Sequence, residues 1–274
     1  MIKKIGRLSE KEEKAVCVET ENVLALFDKS SNKGKKKFEE LASCKNYFGR
    51  KIIAETAYQS TYKDKLFKLS QSLLNSKIYA KRATALLFFY NYYMDNPEEM
   101  IKILSKYYLE IKWESENIMD LFWKEYPDLM KANMLKWIES SDGQKRSLSF
   151  HGLENFSAQD PHFVMEFIEK IIDDDSIEVQ KKITHTIIQI ARIRPAEVYP
   201  YLKEWLKNAD EKRIKTIWVS MKKLANSLKA SEIKNKNKDF VILTKDTIKD
   251  WKTDKNPKIS TMGDKLYQII TNNR

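Results

Sequence analysis

The chain has 274 residues, of which 42% are apolar, 11% aromatic and 32% charged, with six glycines and six prolines. So few turn formers among so many Lys, Glu, Leu and Ile exclude collagen-like, disordered and many-stranded β classes and predict an all-α protein. Fifty Lys and Arg against 39 Asp and Glu give a formal charge of +11, which favours a polyanionic partner, although many basic proteins touch no nucleic acid. Cys17 and Cys44 are too few for a disulfide framework or a four-ligand zinc site, and His151, His162 and His185 do not complete one, so no metal or cofactor is expected.

In chain order, Met1 to Leu8 runs directly into Ser9-Glu10-Lys11-Glu12-Glu13-Lys14 without an apolar signal core. The longest apolar stretches, near Ala85 to Tyr90, are far too short to span a bilayer. A soluble cytoplasmic protein with no membrane contact is therefore expected, with residues 1–46 forming N-terminal capping helices. Residues 47–228 carry a repeat. Prolines recur in Asn96-Pro97-Glu98-Glu99, Tyr126-Pro127-Asp128-Leu129, Asp160-Pro161-His162-Phe163 and Arg194-Pro195-Ala196-Glu197, at steps of 30, 34 and 34 residues. Proline at the first helical position sacrifices no hydrogen bond, and the acids that follow complement the helix dipole, so each proline predicts a helix start.

Ten residues beyond each proline stands a large side chain, Tyr107, Trp137, Ile171 or Trp205, and at equivalent helical positions these read as staples of a shared core. Polar breaks at Ser140-Ser141-Asp142-Gly143, Asp173-Asp174-Asp175-Ser176 and Asn208-Ala209-Asp210 divide each unit into two helices. The predicted hairpins cover about 62–93, 97–126, 127–157, 161–193 and 195–228. A hairpin of this size cannot bury its apolar stripe alone, so the expectation is a HEAT-like repeat α-solenoid, a curved right-handed superhelix of helical hairpins. Residues 229–274 open with the basic stretch Ala230 to Lys238 and are expected to form a linker and C-terminal capping helices.

The second helix of most hairpins opens with adjacent cations: Lys81-Arg82-Ala83, Lys145-Arg146-Ser147, Lys181-Lys182-Ile183 and Lys212-Arg213-Ile214, with Arg50-Lys51-Ile52 as an earlier copy. In a solenoid such pairs line up along one face and suit a phosphate backbone. A structural alternative stands beside this reading: Asp142, Asp175 and Asp210 are placed to bind one cation of each pair, leaving the other for an anionic ligand. One slot is skipped, and there the chain reads Lys112-Trp113-Glu114-Ser115-Glu116-Asn117-Ile118-Met119-Asp120. Trp113, Glu116, Asn117 and Asp120 share a helix face. That is an arrangement for stabilising positive charge beside DNA, or else a helix start carrying dipole-compensating acids.

Met134-Leu135-Lys136-Trp137-Ile138-Glu139-Ser140-Ser141-Asp142, Gln144-Lys145-Arg146, Val179-Gln180-Lys181-Lys182-Ile183 and Ala191-Arg192-Ile193-Arg194-Pro195-Ala196-Glu197-Val198 together resemble the DNA alkylation repair family, the AlkD-like alkylpurine DNA glycosylases built from HEAT-like repeats. The resemblance extends more weakly over Ser76 to Tyr90 and Tyr47-Phe48-Gly49-Arg50. It implies a basic groove that holds duplex DNA and excises N3- or N7-alkylated purines. A carboxylate and aromatic faces would stabilise the oxocarbenium-like sugar while water attacks. Family members carry a Trp followed four residues later by Asp, a DNA-contacting Arg and a second Trp two repeats on. Those positions fall here on Trp113, Asn117, Arg146 and His185, and the missing charge is assigned to Glu116 or Asp120. DNA contacts are expected from Arg50, Lys51, Lys81, Arg82, Lys145, Arg146, Lys181, Lys182, His185, Lys212 and Arg213, in a monomer. The alternative is a non-catalytic HEAT-repeat scaffold for a protein partner or unusual DNA structures.

Overall fold

A computed structural model describes residues 6–233 and 237–272, which contain helices and turns and no strand. The chain divides into two compact units, Met1–Tyr126 and Pro127–Arg274.

The first unit holds α1 (Glu10–Leu24), α2 (Leu26–Lys29), α3 (Ser31–Leu41), α4 (Tyr47–Gln59), α5 (Lys63–Leu74), α6 (Tyr79–Tyr92), α7 (Pro97–Tyr107) and α8 (Lys112–Glu125). Ser9 opens α1 with a capping box: its hydroxyl accepts from the Glu12 amide, and the Glu12 carboxylate accepts from the Ser9 amide at 2.8 Å. Two otherwise orphaned groups are thereby satisfied. Helix α6 is apolar nearly all round, with Leu86, Leu87, Phe88 and Phe89 all buried, because α4, α5 and α8 each pack against it. The amide of Asn91, buried on the same helix, donates back to the Leu87 carbonyl at 2.9 Å.

The second unit holds α9 (Pro127–Ile138), α10 (Gly143–Leu148), α11 (Leu153–Phe156), α12 (Pro161–Glu169), α13 (Ile177–Ile193), α14 (Pro195–Lys207), α15 (Glu211–Ile233), α16 (Lys238–Lys252) and α17 (Pro257–Asn272). Helices α10, α13, α15 and α17 are successive neighbours in one layer, α12, α14 and α16 in the other, and α13, α14, α15 and α16 pack across between them. This is the two-layer arrangement of stacked helical hairpins. Helices begin at Pro97, Pro127, Pro161 and Pro195, as the proline ladder predicts, and also at Pro257. Trp137, Ile171 and Trp205 are buried, and Tyr107 is partly so.

One expectation is corrected. The second helix of the 127–157 hairpin is broken into α10 and α11, because Gly152 takes φ 81°, a left-handed conformation that interrupts a right-handed helix. Beyond Lys229 the chain forms two further helices, α16 and α17. Helix α15 continues to Ile233, residues 234–236 of the expected linker lie outside the described residues, and α16 and α17 pack on each other and on α14 and α15. Phe240, Trp251, Met262 and Leu266 anchor that hairpin. No helix among the described residues is long and apolar enough to cross a membrane.

Helix α17 crosses the end of α16 at Gly263, where an added Cβ would stand 2.3 Å from the Lys252 nitrogen and 2.5 Å from the Trp251 carbonyl carbon. Backbone cannot swing aside as a side chain does. Gly263→Ala is therefore expected to destabilise the protein by about 1–3 kcal/mol in urea unfolding; an unchanged midpoint would contradict this close crossing.

Candidate nucleic-acid interface

In the first unit the residue types singled out by sequence assemble where α4, α6 and α8 meet. Asn46 caps α4, its side-chain oxygen accepting from the Gly49 amide at 3.1 Å while its amide donates to the Gly6 carbonyl at 3.0 Å. The cap fixes Tyr47 at the start of α4 and Arg50 one turn on. Arg50 is 5% exposed. It donates to the carbonyls of Cys44 at 3.1 Å and Lys45 at 2.9 Å and forms an ion pair with Glu114 of α8. Glu114 has no exposure, and its second oxygen accepts from the Tyr79 hydroxyl at 2.5 Å. Burial, then the bond to this carboxylate and its charge, push the Tyr79 phenol far above its ordinary pKa, so it remains the donor. Arg50, expected to contact DNA, has its guanidinium inside the fold, with Nη1 and Nη2 turned to internal carbonyls and a carboxylate.

Trp113 stands next to Glu114 but on the accessible side of α8, 49% exposed. Its ring meets Tyr47 edge-on, with centroids 4.4 Å apart and planes at 86°. The Tyr47 phenol is raised by burial and by the Glu114 charge. Glu116, Asn117 and Asp120 are half-buried on the side of Trp113, opposite the buried ridge of Glu114, Ile118 and Phe122. The Asn117 amide turns back on its own helix and donates to the Trp113 carbonyl at 2.7 Å, while Glu116 lies 4.0 Å from Lys112. Sequence reasoning passed over Glu114. Its signal was available: a carboxylate at the head of the 114, 118, 122 apolar ridge needs a buried partner.

The remaining cations of this unit are partly committed. Lys81 pairs with Glu39 at 3.1 Å. Arg82 donates to the Ser76 carbonyl at 2.6 Å and lies 3.7 Å from the Glu110 carboxylate. Lys51 is exposed and has no ion-pair partner among the described residues.

In the second unit the loop Asp173-Asp174-Asp175 organises the basic pairs. Arg146 grips Asp174 through two bonds of 2.6 and 3.0 Å and donates to the carbonyls of Ser140 and Ser141 at 2.7 and 3.0 Å. Arg213 pairs with Asp173, and Lys212 with Asp175 at 2.5 Å. Of the three acids expected to bind these cations, Asp175 does so. Asp142 and Asp210 instead cap helices, accepting from the amides of Gln144 and Arg213 at 2.8 Å each. Lys145 stands over the Trp137 ring at 5.6 Å, Lys181 pairs with Glu178 at 2.9 Å, and His185 Nε2 lies 2.7 Å from Glu154.

Helices α13 and α15 enclose a groove of about 730 Å³ lined by Lys181, Lys182, His185 and Lys212, together with Lys215 and Lys223, which sequence reasoning missed. The lysines at 212, 215 and 223 recur at helical spacing, the signal that was available. Lys145, Arg146 and Arg213 do not line this groove. No group of three or more His, Cys, Asp or Glu among the described residues is placed to hold a metal.

Residues 31–224 match the family model described as DNA alkylation repair enzyme. AlkD2 from Streptococcus mutans is similar in structure, with a TM-score of 0.55 and 19% identity over 70% of this chain and 97% of its own. The protein smu.31 from Streptococcus mutans UA159 gives a TM-score of 0.51 and 19% identity over 74% and 97%. Identities this low speak for the fold alone. No curated protein matches the chain.

Burial pushes the Asp174 carboxyl up, but bonds from Arg146 and the Ser176 amide and the charges of Arg146 and Lys212 outweigh it and hold it below its ordinary value of 3.8. A carboxyl depressed in the folded state contributes stability above its unfolded pKa and loses it as pH falls through the folded value. Asp174→Asn is therefore expected to lower the unfolding midpoint at neutral pH and to converge on wild type as pH falls below 3.8. Midpoints that stay parallel across the acid range would contradict this.

Proposed function

The chain belongs to the DNA alkylation repair enzyme family, and on that premise we propose that it binds duplex DNA and hydrolyses the N-glycosidic bond of N3- or N7-alkylated purines. The observation that carries this reading is Trp113, half-exposed, braced by Tyr47 and sharing a helix side with two carboxylates. Alkylation gives the purine a positive charge, so the base departs with the bonding electron pair as a neutral molecule and needs little acid catalysis. Positive charge then develops on the sugar. The face of Trp113 attracts that cation through its ring quadrupole, and Glu116 and Asp120 stabilise it electrostatically. Water adds to the anomeric carbon and gives up its proton to a carboxylate or to solvent. Asn117 supplies no charge; its bond to the Trp113 carbonyl makes it a positioning residue.

Phosphates are held by the accessible lysines Lys51, Lys145, Lys181 and Lys182, joined by Lys215 and Lys223, with Lys212 and His185 at the groove rim. Lys81, Arg82, Arg146 and Arg213 act first as supports of the helices that present them. A second reading, a non-catalytic DNA-binding protein, is favoured by one observation. The most firmly held carboxylate, Glu114, is sealed from the surface and neutralised by Arg50.

The two readings part in a single-turnover assay on methylated duplex DNA. The enzyme is expected to release 3-methyladenine or 7-methylguanine, with Glu116→Gln or Asp120→Asn slowing release by about 10²-fold. Binding without release would leave the non-catalytic reading. Affinity should fall steeply with salt, and Lys182→Ala with Lys215→Ala should flatten that slope by about one unit per phosphate contact removed. Salt-indifferent affinity would overturn DNA binding altogether.

A further inference from the structure

A second groove, of about 1030 Å³, runs between α15 and α17, and α17 lies beyond residue 224, where the family match ends. Its α15 wall is a stripe from Glu211 through Trp218 to Asn226, and its α17 wall a matching stripe from Pro257 through Met262 to Asn272. Fifteen rises of 1.5 Å make each wall about 22 Å long, or four helical turns. The floor is apolar, formed by Ile214, Trp218, Met262 and Ile269. The rim carries Lys215, Lys222, Lys258 and Lys265 against a single acid, Glu211. Lys258 is tethered to the Ala209 carbonyl at 2.7 Å, whereas Lys215, Lys222 and Lys265 have no ion-pair partner among the described residues.

We propose that this groove is the docking site for an acidic amphipathic helix of a partner protein. An apolar trough between two parallel walls four turns long has the dimensions of a third helix, whose apolar stripe would cover Trp218 and Met262. The cationic rim then selects acids on the flanks of that helix. Nucleic acid fits less well. The Lys222 ammonium stands 5.7 Å over the Trp218 ring, on the face where a base would stack, and the other three floor side chains, Ile214, Met262 and Ile269, offer no donor to a phosphate. A second copy of this chain, with its own charge of +11, would bring like charge to a positive rim.

The test is fluorescence anisotropy of the full chain with a fluorescein-labelled peptide of about 18 residues, Leu at helical spacing on one side and Glu elsewhere. A peptide of the same composition scrambled to destroy the stripe serves as control. The ordered peptide is expected to bind at least about tenfold more tightly than the scrambled one. The double substitution Lys222→Glu with Lys265→Glu, on exposed side chains, is expected to weaken it by about tenfold or more while leaving the thermal midpoint unchanged. Equal binding of both peptides, or a doubly substituted protein that still binds normally, would overturn the proposal. So would a Lys222→Glu, Lys265→Glu protein that loses oligonucleotide binding and keeps the peptide.

Discussion

The ion pair between Arg50 and Glu114 is the constraint from which the candidate site follows. Removing a carboxylate and a guanidinium from water costs several kcal/mol per ion, and attraction between them offsets this only when the remaining polar atoms are also satisfied. Here Glu114 receives a second bond from Tyr79, and Arg50 donates from Nη1 to the carbonyls of Cys44 and Lys45, leaving Nε as the one buried nitrogen of the guanidinium without a partner. Such bonds tolerate little displacement. Tyr47 and Arg50 are one turn apart on α4, and Trp113 and Glu114 are adjacent on α8, so the pair that sets the register of these helices also sets the edge of Trp113 against Tyr47. An apolar contact of equal area would allow the helices to slide.

The second unit solves a similar problem with three consecutive aspartates. Asp174 reaches back to Arg146 of the preceding hairpin, while Asp173 and Asp175 reach forward to Arg213 and Lys212 of the next. Arginine suits this task, because its planar fork meets a carboxylate through two bonds, as Arg146 does. Lysine keeps a compact charge on a flexible stem, and the groove between α13 and α15 is lined by lysines. In the second unit Arg146, Arg213 and Lys212 tie hairpins together, while Lys182, Lys215 and Lys223 supply accessible charge along the groove.

The helical hairpins were legible because proline position, polar breaks and apolar spacing all act locally, and helices begin at every proline of the ladder. The break at Gly152 was not, since one glycine in a helical pattern does not declare a left-handed φ. Helices after residue 229 were expected, but the apolar contacts that anchor them, made by residues such as Trp251 and Met262, were not singled out because they are long-range. At the site, Trp113 and its neighbours on α8 were readable from helical periodicity. The role of Arg50 was not, because a cation buried by residues 64 positions away looks in sequence like any other member of a basic pair. Asp142, Asp174 and Asp210 show the same limit: sequence places acids near cations but does not say which will cap a helix and which will cross to a neighbouring hairpin.

The central claim is that a sealed ion pair holds Trp113 in one orientation. Fluorine NMR of protein labelled with 5-fluorotryptophan tests this most directly, with the Trp113 resonance identified by its loss in Trp113→Phe. In the native chain that resonance should be single and narrow, and in Glu114→Gln it should broaden or split while the resonances of Trp205 and Trp251 in the second unit stay unchanged. A Trp113 resonance equally narrow, at the same position, in both proteins would show that the ion pair does not set the aromatic face.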